Sequence, residues 1–475
     1  MRISPSTRIV VVTFFGAAVI LGASAGDATR AAAGPLSVEP LEPALPEAAA
    51  QAPEPMVARK RYTTIDFDAL PDPDSRGLFG RQPRTVPLQL FPNLSITAVF
   101  DRFDPNADGV TWVGHVDGVP FSTVTLVYGG RLLTGSVVLP DASYAIGPAP
   151  AELRRAARLV GRELHVVTEF RQDGFPREAD PIEVELPAAD IAAAADAVMT
   201  DTADVIDVMV VYTPLAQARA GGEAGIANLI NLGVSQTNTS YANSGVVQRL
   251  RLVHHELVDY SEPSSFNTAL SELRSSLGAL GGVAALRNAV GADLVMMLVH
   301  PPSPSACGIA FLMTNVSTAF APNGYSVTDT DCVANFTFAH ELGHNMGARH
   351  DWYMDNATTP FTYAHGYVNP AVGQRWRTIM AYPDHCAAMG FSCTRLLRWA
   401  NASQNLAPDC GPGFNCALLQ YWRFPGPAMG VPGGTSTSCA ESSLTANLCD
   451  ADDSRALNNT ALSVANFRQA VADRR

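Results

Sequence analysis

At 475 residues the chain is too long for one ordinary domain of roughly 150 residues, so two or three units with their own cores are expected. Hydrophobic residues at 47% and charged residues at 16% exclude a wholly disordered chain. A formal charge of -13 without any dense Lys/Arg run leaves no electrostatic footprint for nucleic acid or an anionic membrane surface.

In chain order, Arg2 and Arg8 precede an apolar run from Ile9 to Leu21, and Ala23-Ser24-Ala25 gives the small-x-small pattern of a signal-peptide cleavage site. The run is shorter than the roughly 20 apolar residues a membrane span needs, so residues 1–25 are read as an export signal rather than an anchor, and the chain as secreted. Residues 26–85 are read as a linker, dense in Ala, Pro and Glu from Gly26 to about Ala58, and the start of the next unit. From residue 86 to 203, short runs rich in Val, Leu and Thr between Gly, Pro and Asp turns predict a β-rich domain, with one helical stretch at Ala151 to Val160. Asp104, Asn106, Asp108 and Gly109 match the opening of an EF-hand loop, but the twelfth position is His115 where a bidentate Glu is required. A polar turn explains the segment better, and calcium, though compatible with the chain, is not indicated.

The Ala- and Asp-rich segment from Ala188 to Ala203 marks a boundary, and residues 204–475 form the last unit. Val205 to Tyr212 predicts a buried strand, Ala216 to Tyr241 a helix, Val246 to Val258 a strand, Phe266 to Val290 a helix, Ala292 to His300 a strand and Ser454 to Ala472 a closing helix. This alternation predicts α/β layering. All eight cysteines lie in this unit; export and short loops favour the local disulfides Cys307–Cys332, Cys386–Cys393, Cys410–Cys416 and Cys439–Cys449, while the absence of a paired C-x-x-C argues against a zinc cluster.

The chemistry-bearing segment is Phe338-Ala-His-Glu-Leu-Gly-His-Asn-Met-Gly-Ala-Arg-His-Asp351. On a helix, His340 and His344 share one face and can share a cation. Gly347 permits the sharp turn that returns His350 as a third nitrogen. Three neutral imidazoles leave Zn²⁺ a fourth position for water, the arrangement of a catalytic site, and Glu341 is placed to take the water's proton and pass it to the leaving amine. Histidines on an ordinary helix are the plain alternative. The full H-E-x-x-H-x-x-G-x-x-H frame, followed by Met380 in Thr378-Ile-Met-Ala-Tyr-Pro383, makes the metal site the better reading.

These motifs resemble the metzincin zinc peptidases. Asp351 after the third histidine points to the reprolysin-like branch, and Arg377-Thr-Ile-Met-Ala-Tyr382 with the ending Arg455-Ala-Leu-Asn-Asn-Thr and Val464-Ala-Asn-Phe-Arg468 is similar to bacterial peptidyl-Asp metalloendopeptidases. The resemblance implies an α/β (α+β) catalytic domain with a mixed sheet and an active-site helix, preceded by a β-rich propeptide. It implies Met380 packed beneath the metal, Asp351 as a structural hydrogen-bonding group, and internal peptide bonds as the substrate, held along an edge strand near Cys307 to Met313. Tyr382 is either a stabiliser of the transition state or a packed side chain. If an acidic residue follows the cleaved bond it needs a cation, for which Arg395 and Arg398 are placed, with surface solvation as the alternative. His365 and His385 flank the Met-turn and are expected at most to line the cleft; His254 and His255 are adjacent on a strand and cannot easily share a metal. The propeptide, as the chain's own inhibitor, holds no cysteine for a thiolate switch, so blockage must be steric or through a carboxylate, with Glu178 and Asp180 as the available groups. The rival function is a catalytically silent zinc-fold adhesin or binding protein, which the presence of Glu341 argues against.

Overall fold

The computed structural model describes residues 34–36, 54–71, 85–158, 163–196, 198–302, 304–372, 375–406, 427–432 and 439–471, all within one compact unit, Gly34–Arg475. The expected signal peptide, most of the linker and the expected Cys410–Cys416 pair lie outside these residues.

Eight strands form one antiparallel sheet: β1 (Val57–Thr64), β2 (Thr85–Phe91), β3 (Leu94–Asp104), β4 (Val110–Val116), β5 (Thr123–Gly129), β6 (Leu132–Val138), β7 (Ser143–Pro148) and β8 (Leu164–Phe170). Their order is β1-β8-β7-β6-β5-β4-β3-β2, a meander extended by β1, which begins where the expected linker ends, at about Ala58. Alternation sets the buried face: Val86, Leu88 and Leu90 point inward with Trp112, Leu126 and Val137. Helix α1 (Ala151–Arg158) bridges β7 and β8. In the EF-hand-like segment, Asn106 Oδ1 accepts the Asp108 N–H at 2.8 Å, which is turn chemistry.

A short strand β9 (Ile182–Val184) and helix α2 (Ala188–Ala195), which buries no residue, lead into the second layer system. Here β10 (Val205–Tyr212), α3 (Pro214–Ala220), α4 (Glu223–Asn243), β11 (Arg249–Leu257), α5 (Phe266–Ser275), α6 (Val283–Val290), β12 (Leu294–Val299), β13 (Gly308–Met313), β14 (Tyr325–Asp329), α7 (Thr337–Asn345), α8 (Pro383–Ala388) and α9 (Asp453–Val464) follow. The sheet is mixed, ordered β11-β10-β12-β14-β13-β9, with β13 antiparallel to β14 and the other pairs parallel. Strands β10 and β12 are buried almost throughout, as parallel strands covered on both faces must be.

Two helices expected to be continuous are broken. Gly221 at φ 106° separates α3 from α4, and Ser276 at φ 49° with Gly278 at φ 54° separates α5 from α6. Helix α4 packs on β5 and β6 on one side and on β11 and α7 on the other, and its Asn228 Nδ2 donates to Leu132 O at 3.1 Å. Disulfides join Cys307 to Cys332, Cys386 to Cys393 and Cys439 to Cys449, the three expected pairings among the described residues. No helix among the described residues is long and apolar enough to cross a membrane.

Candidate active site

Helix α7 carries the first two histidines and the glutamate, all buried. Its position under the sheet is fixed by Asn345, whose Nδ2 donates to Phe311 O at 2.8 Å and to Tyr325 O at 3.1 Å. Helix α7 ends because Gly347 adopts φ 85°, with Ala348 N–H returning to Gly343 O at 2.9 Å. A side chain at Gly347 would also meet the ring of Pro360 at 2.8 Å, so the turn needs glycine twice over. The turned chain delivers His350 to α7.

The three Nε2 atoms converge. His350 Nε2 lies 3.2 Å from His340 Nε2 and 3.1 Å from His344 Nε2. Nitrogens at about 2.0–2.1 Å from a tetrahedral zinc would stand about 3.3 Å apart, which is close to this spacing. The outward nitrogens are occupied by backbone: His340 Nδ1 faces Ile379 O at 3.0 Å and His344 Nδ1 faces Ala348 O at 2.8 Å. Donation through His344 Nδ1 leaves its Nε2 as the metal-facing lone pair, while His340 Nδ1 also lies 2.7 Å from Arg395 Nη2. Burial pushes all three imidazoles well below the ordinary histidine range, which keeps them neutral. Glu341 is fully buried with neither carboxylate oxygen hydrogen-bonded, and burial first, then the charge of Glu178, pushes its carboxyl well up. Space for that carboxylate exists because residue 308 is glycine: a Cβ there would sit 2.6 Å from Glu341 Oε1. The triad therefore fits a catalytic zinc, with an unpartnered carboxylate beside it.

Behind the triad, Met380 is fully buried and its sulfur would lie 3.1 Å from a Cβ at Gly343, so helix and Met-turn meet through a missing side chain. Asp351 accepts the Tyr382 and Tyr353 N–H groups. The Tyr382 ring lies 4.4 Å from that of His350.

Residues 202–406 match the metallo-peptidase family M12B, reprolysin-like. The peptidyl-Asp metalloendopeptidase of Stenotrophomonas maltophilia (strain R551-3) is 32% identical over 359 residues, covering 74% of this chain and 71% of that protein. The chain belongs to the reprolysin-like metallopeptidases. The peptidyl-Asp metalloendopeptidase of Xanthomonas campestris pv. campestris is 30% identical over 358 residues, 74% of this chain and 70% of its own. Among solved structures, metalloproteinase-II from Bacteroides fragilis aligns over 58% of this chain and 84% of that chain at 12% identity and a TM-score of 0.37.

In this zinc metalloendopeptidase the two expected arginines part company. Arg395 is buried, not solvated, and reaches the site: its Nη1 donates to Glu178 Oε1 at 2.6 Å and Asn335 O at 2.9 Å, and its Nε to Ile379 O at 2.8 Å. Arg398 points elsewhere, donating to Asn243 O at 2.5 Å beneath the Phe121 ring. Glu178 also accepts from Thr337 Oγ1 at 2.9 Å, while Asp180 is exposed. Burial would raise the Glu178 carboxyl, but the Arg395 guanidinium outweighs it and holds the group well below the usual carboxylate range. His365 does not line a cleft. It is buried against Trp352 with Nδ1 2.7 Å from His350 O and Nε2 2.9 Å from Ala357 O, bracing the third ligand from behind. His385 stacks on Tyr353, with Nε2 3.3 Å from Leu444 O. His254 and His255 take separate partners, Glu256 and Asp108. The local sequence around His365 carries no spacing rule that could have announced its role.

Proposed function

We propose that the enzyme is a secreted endopeptidase that hydrolyses internal peptide bonds, with Glu341 as general base and a preference for Asp after the cleaved bond. The observation that carries this reading is the pairing of a convergent histidine triad with a buried, unpartnered Glu341 carboxylate. His340, His344 and His350 would hold the zinc, which would supply Lewis acidity for the scissile carbonyl and the attacking water. Glu341 takes the water's proton and returns it to the leaving amine. Tyr382 is assigned as a donor to the developing oxyanion and Asp351 and Met380 as supports of the ligand shell.

The Asp preference rests on the names of the relatives and on a buried cation, Arg395, beside the triad. Arg398, engaged with Asn243 and Phe121, is left out of it. The region before residue 204 acts as a propeptide inhibitor: β9 adds to the free edge of β13, where substrate is expected to lie, and Arg349 Nη2 holds Glu183 at 2.7 Å. Export by the segment 1–25 completes the reading. Glu341→Gln, assayed on casein alongside its zinc content, tests it: activity should fall by about 10²- to 10⁴-fold with zinc retained. Undiminished turnover in that variant would favour a different base.

A further inference from the structure

The buried ion pair between Glu178 and Arg395 joins two segments with opposite fates. Glu178 belongs to the segment ahead of β9, which must leave before substrate can enter. Its position is set by backbone on both sides: Cys307 N–H donates to Arg177 O at 2.9 Å and Ala179 N–H to Gly308 O at 2.8 Å. The Glu178 side chain therefore turns into the protein, where it is 6% exposed, and its own carbonyl accepts the Tyr382 hydroxyl at 2.9 Å. Arg395 is 1% exposed, and among the described residues Glu178 is the carboxylate that lies within ion-pair distance of it. Its remaining partners are backbone carbonyls and the His340 ring.

A buried guanidinium deprived of its counter-charge is costly. Departure of residues 177–184 would leave Arg395 in that state, facing the cleft next to the first zinc ligand and to Tyr382. A peptide that brings a carboxylate side chain to the same place restores the pair, whereas an amide or apolar side chain does not.

We infer that Glu178 is a built-in surrogate for the acidic side chain of the substrate, so that one contact, Arg395 to a carboxylate, sets both the latency of the precursor and the specificity of the active enzyme. This rests on the Asp preference proposed above. Two further consequences follow for ligand chemistry: the enzyme is inhibited by its own released segment, and the acceptor site takes a side-chain carboxylate on an extended peptide added to β13.

The test varies only the peptide. The active enzyme, released from the secreted full chain, is assayed first on paired substrates with Asp or Asn after the cleaved bond. It is then inhibited with two synthetic peptides spanning residues 174–186, one with Glu178 and one with Glu178→Gln. Both carry Asp180→Asn, so that neither peptide offers an aspartate for cleavage, while Glu183 and Glu185 are common to the two. The expected result is a preference for the Asp substrate together with competitive inhibition at least about tenfold stronger by the Glu178 peptide, the ratio a charge-assisted hydrogen bond supports. Equal inhibition by the two peptides, with the Asp preference intact, would overturn the surrogate role and leave the proposed specificity standing. Loss of any Asp preference would overturn the specificity reading, and the surrogate role with it.

Discussion

Asp351 Oδ2 accepts the Tyr382 backbone N–H at 2.8 Å, and its Oδ1 accepts that of Tyr353 at 3.1 Å. One side chain thus ties the residue after the third ligand to the Met-turn that underlies it. The Tyr382 N–H is buried and the Tyr353 N–H half-buried, so removing their acceptor leaves one N–H group unsatisfied at about 1–3 kcal/mol and the second at less. Asp351→Ala is expected to lower unfolding stability by about 1–4 kcal/mol and to weaken zinc retention on dialysis. Denaturant midpoints and metal content measure both; parental values for the two would show that the clamp is dispensable.

How much of this was legible beforehand depends on the range of the contact involved. The spacing of His340, His344 and His350 could be read because helix geometry and one glycine turn place them, and each rule acts over a few residues. The strand at Val205 to Tyr212 was legible for the same reason. The breaks at Gly221 and Ser276 were not, since apolar spacing continues across them while a single positive φ redirects the chain. Strand β1 was hidden because its pairing partner, β8, lies more than a hundred residues on. Glu178 was legible as an available carboxylate but not as the partner of Arg395, 217 residues away, since that contact exists only once β9 has joined β13.

Tyr382 tests whether a stacked ring also works through its hydroxyl. The hydroxyl donates to the Glu178 carbonyl at 2.9 Å, so it already serves a peptide carbonyl in the full chain, and burial holds its pKa well above the ordinary tyrosine value, which keeps the proton available for donation. Tyr382→Phe keeps the ring against His350 and removes the donor. A fall in kcat of about 10²-fold, with KM and zinc content near parental, is expected for a group that acts in the transition state. Unchanged kcat would reduce Tyr382 to packing.

Acid should loosen the N-terminal sheet through His165. This fully buried ring accepts the Leu133 N–H on Nε2 at 3.0 Å, a role open only to the neutral form, and burial lowers its pKa to about 4. A folded-state pKa below the unfolded value of about 6.5 means that stability is complete above pH 6.5 and declines as pH falls towards 4. The full loss is on the order of 3 kcal/mol. Precursor stability followed by denaturant unfolding between pH 7 and pH 4 should fall accordingly, and His165→Gln should flatten that dependence. An equally steep decline in the variant would place the acid sensitivity elsewhere.

If the N-terminal region is removed as proposed, the position of the maturation cut is bounded by contacts on either side of α2. Upstream, Thr314 Oγ1 donates to Val184 O at 3.0 Å and β9 pairs with β13, so a cut that frees the cleft must fall after Val184. Downstream, Asn466 Oδ1 accepts the Thr200 and Asp201 N–H groups at 2.8 and 3.1 Å, and Asp201 Oδ2 accepts the Ala470 N–H at 2.8 Å. These bonds tie residues 200 and 201 to the chain after α9, a few residues ahead of the boundary at 204 that composition suggests. Between the two anchors, α2 buries none of its residues and offers the accessible backbone a protease needs. N-terminal sequencing of the secreted active enzyme should therefore give a first residue between 185 and 200. A start beyond Asp201 would mean that the Asn466 contacts do not survive maturation, and Asn466→Ala should then leave the stability of the active form unchanged where otherwise it would lower it by about 1–3 kcal/mol.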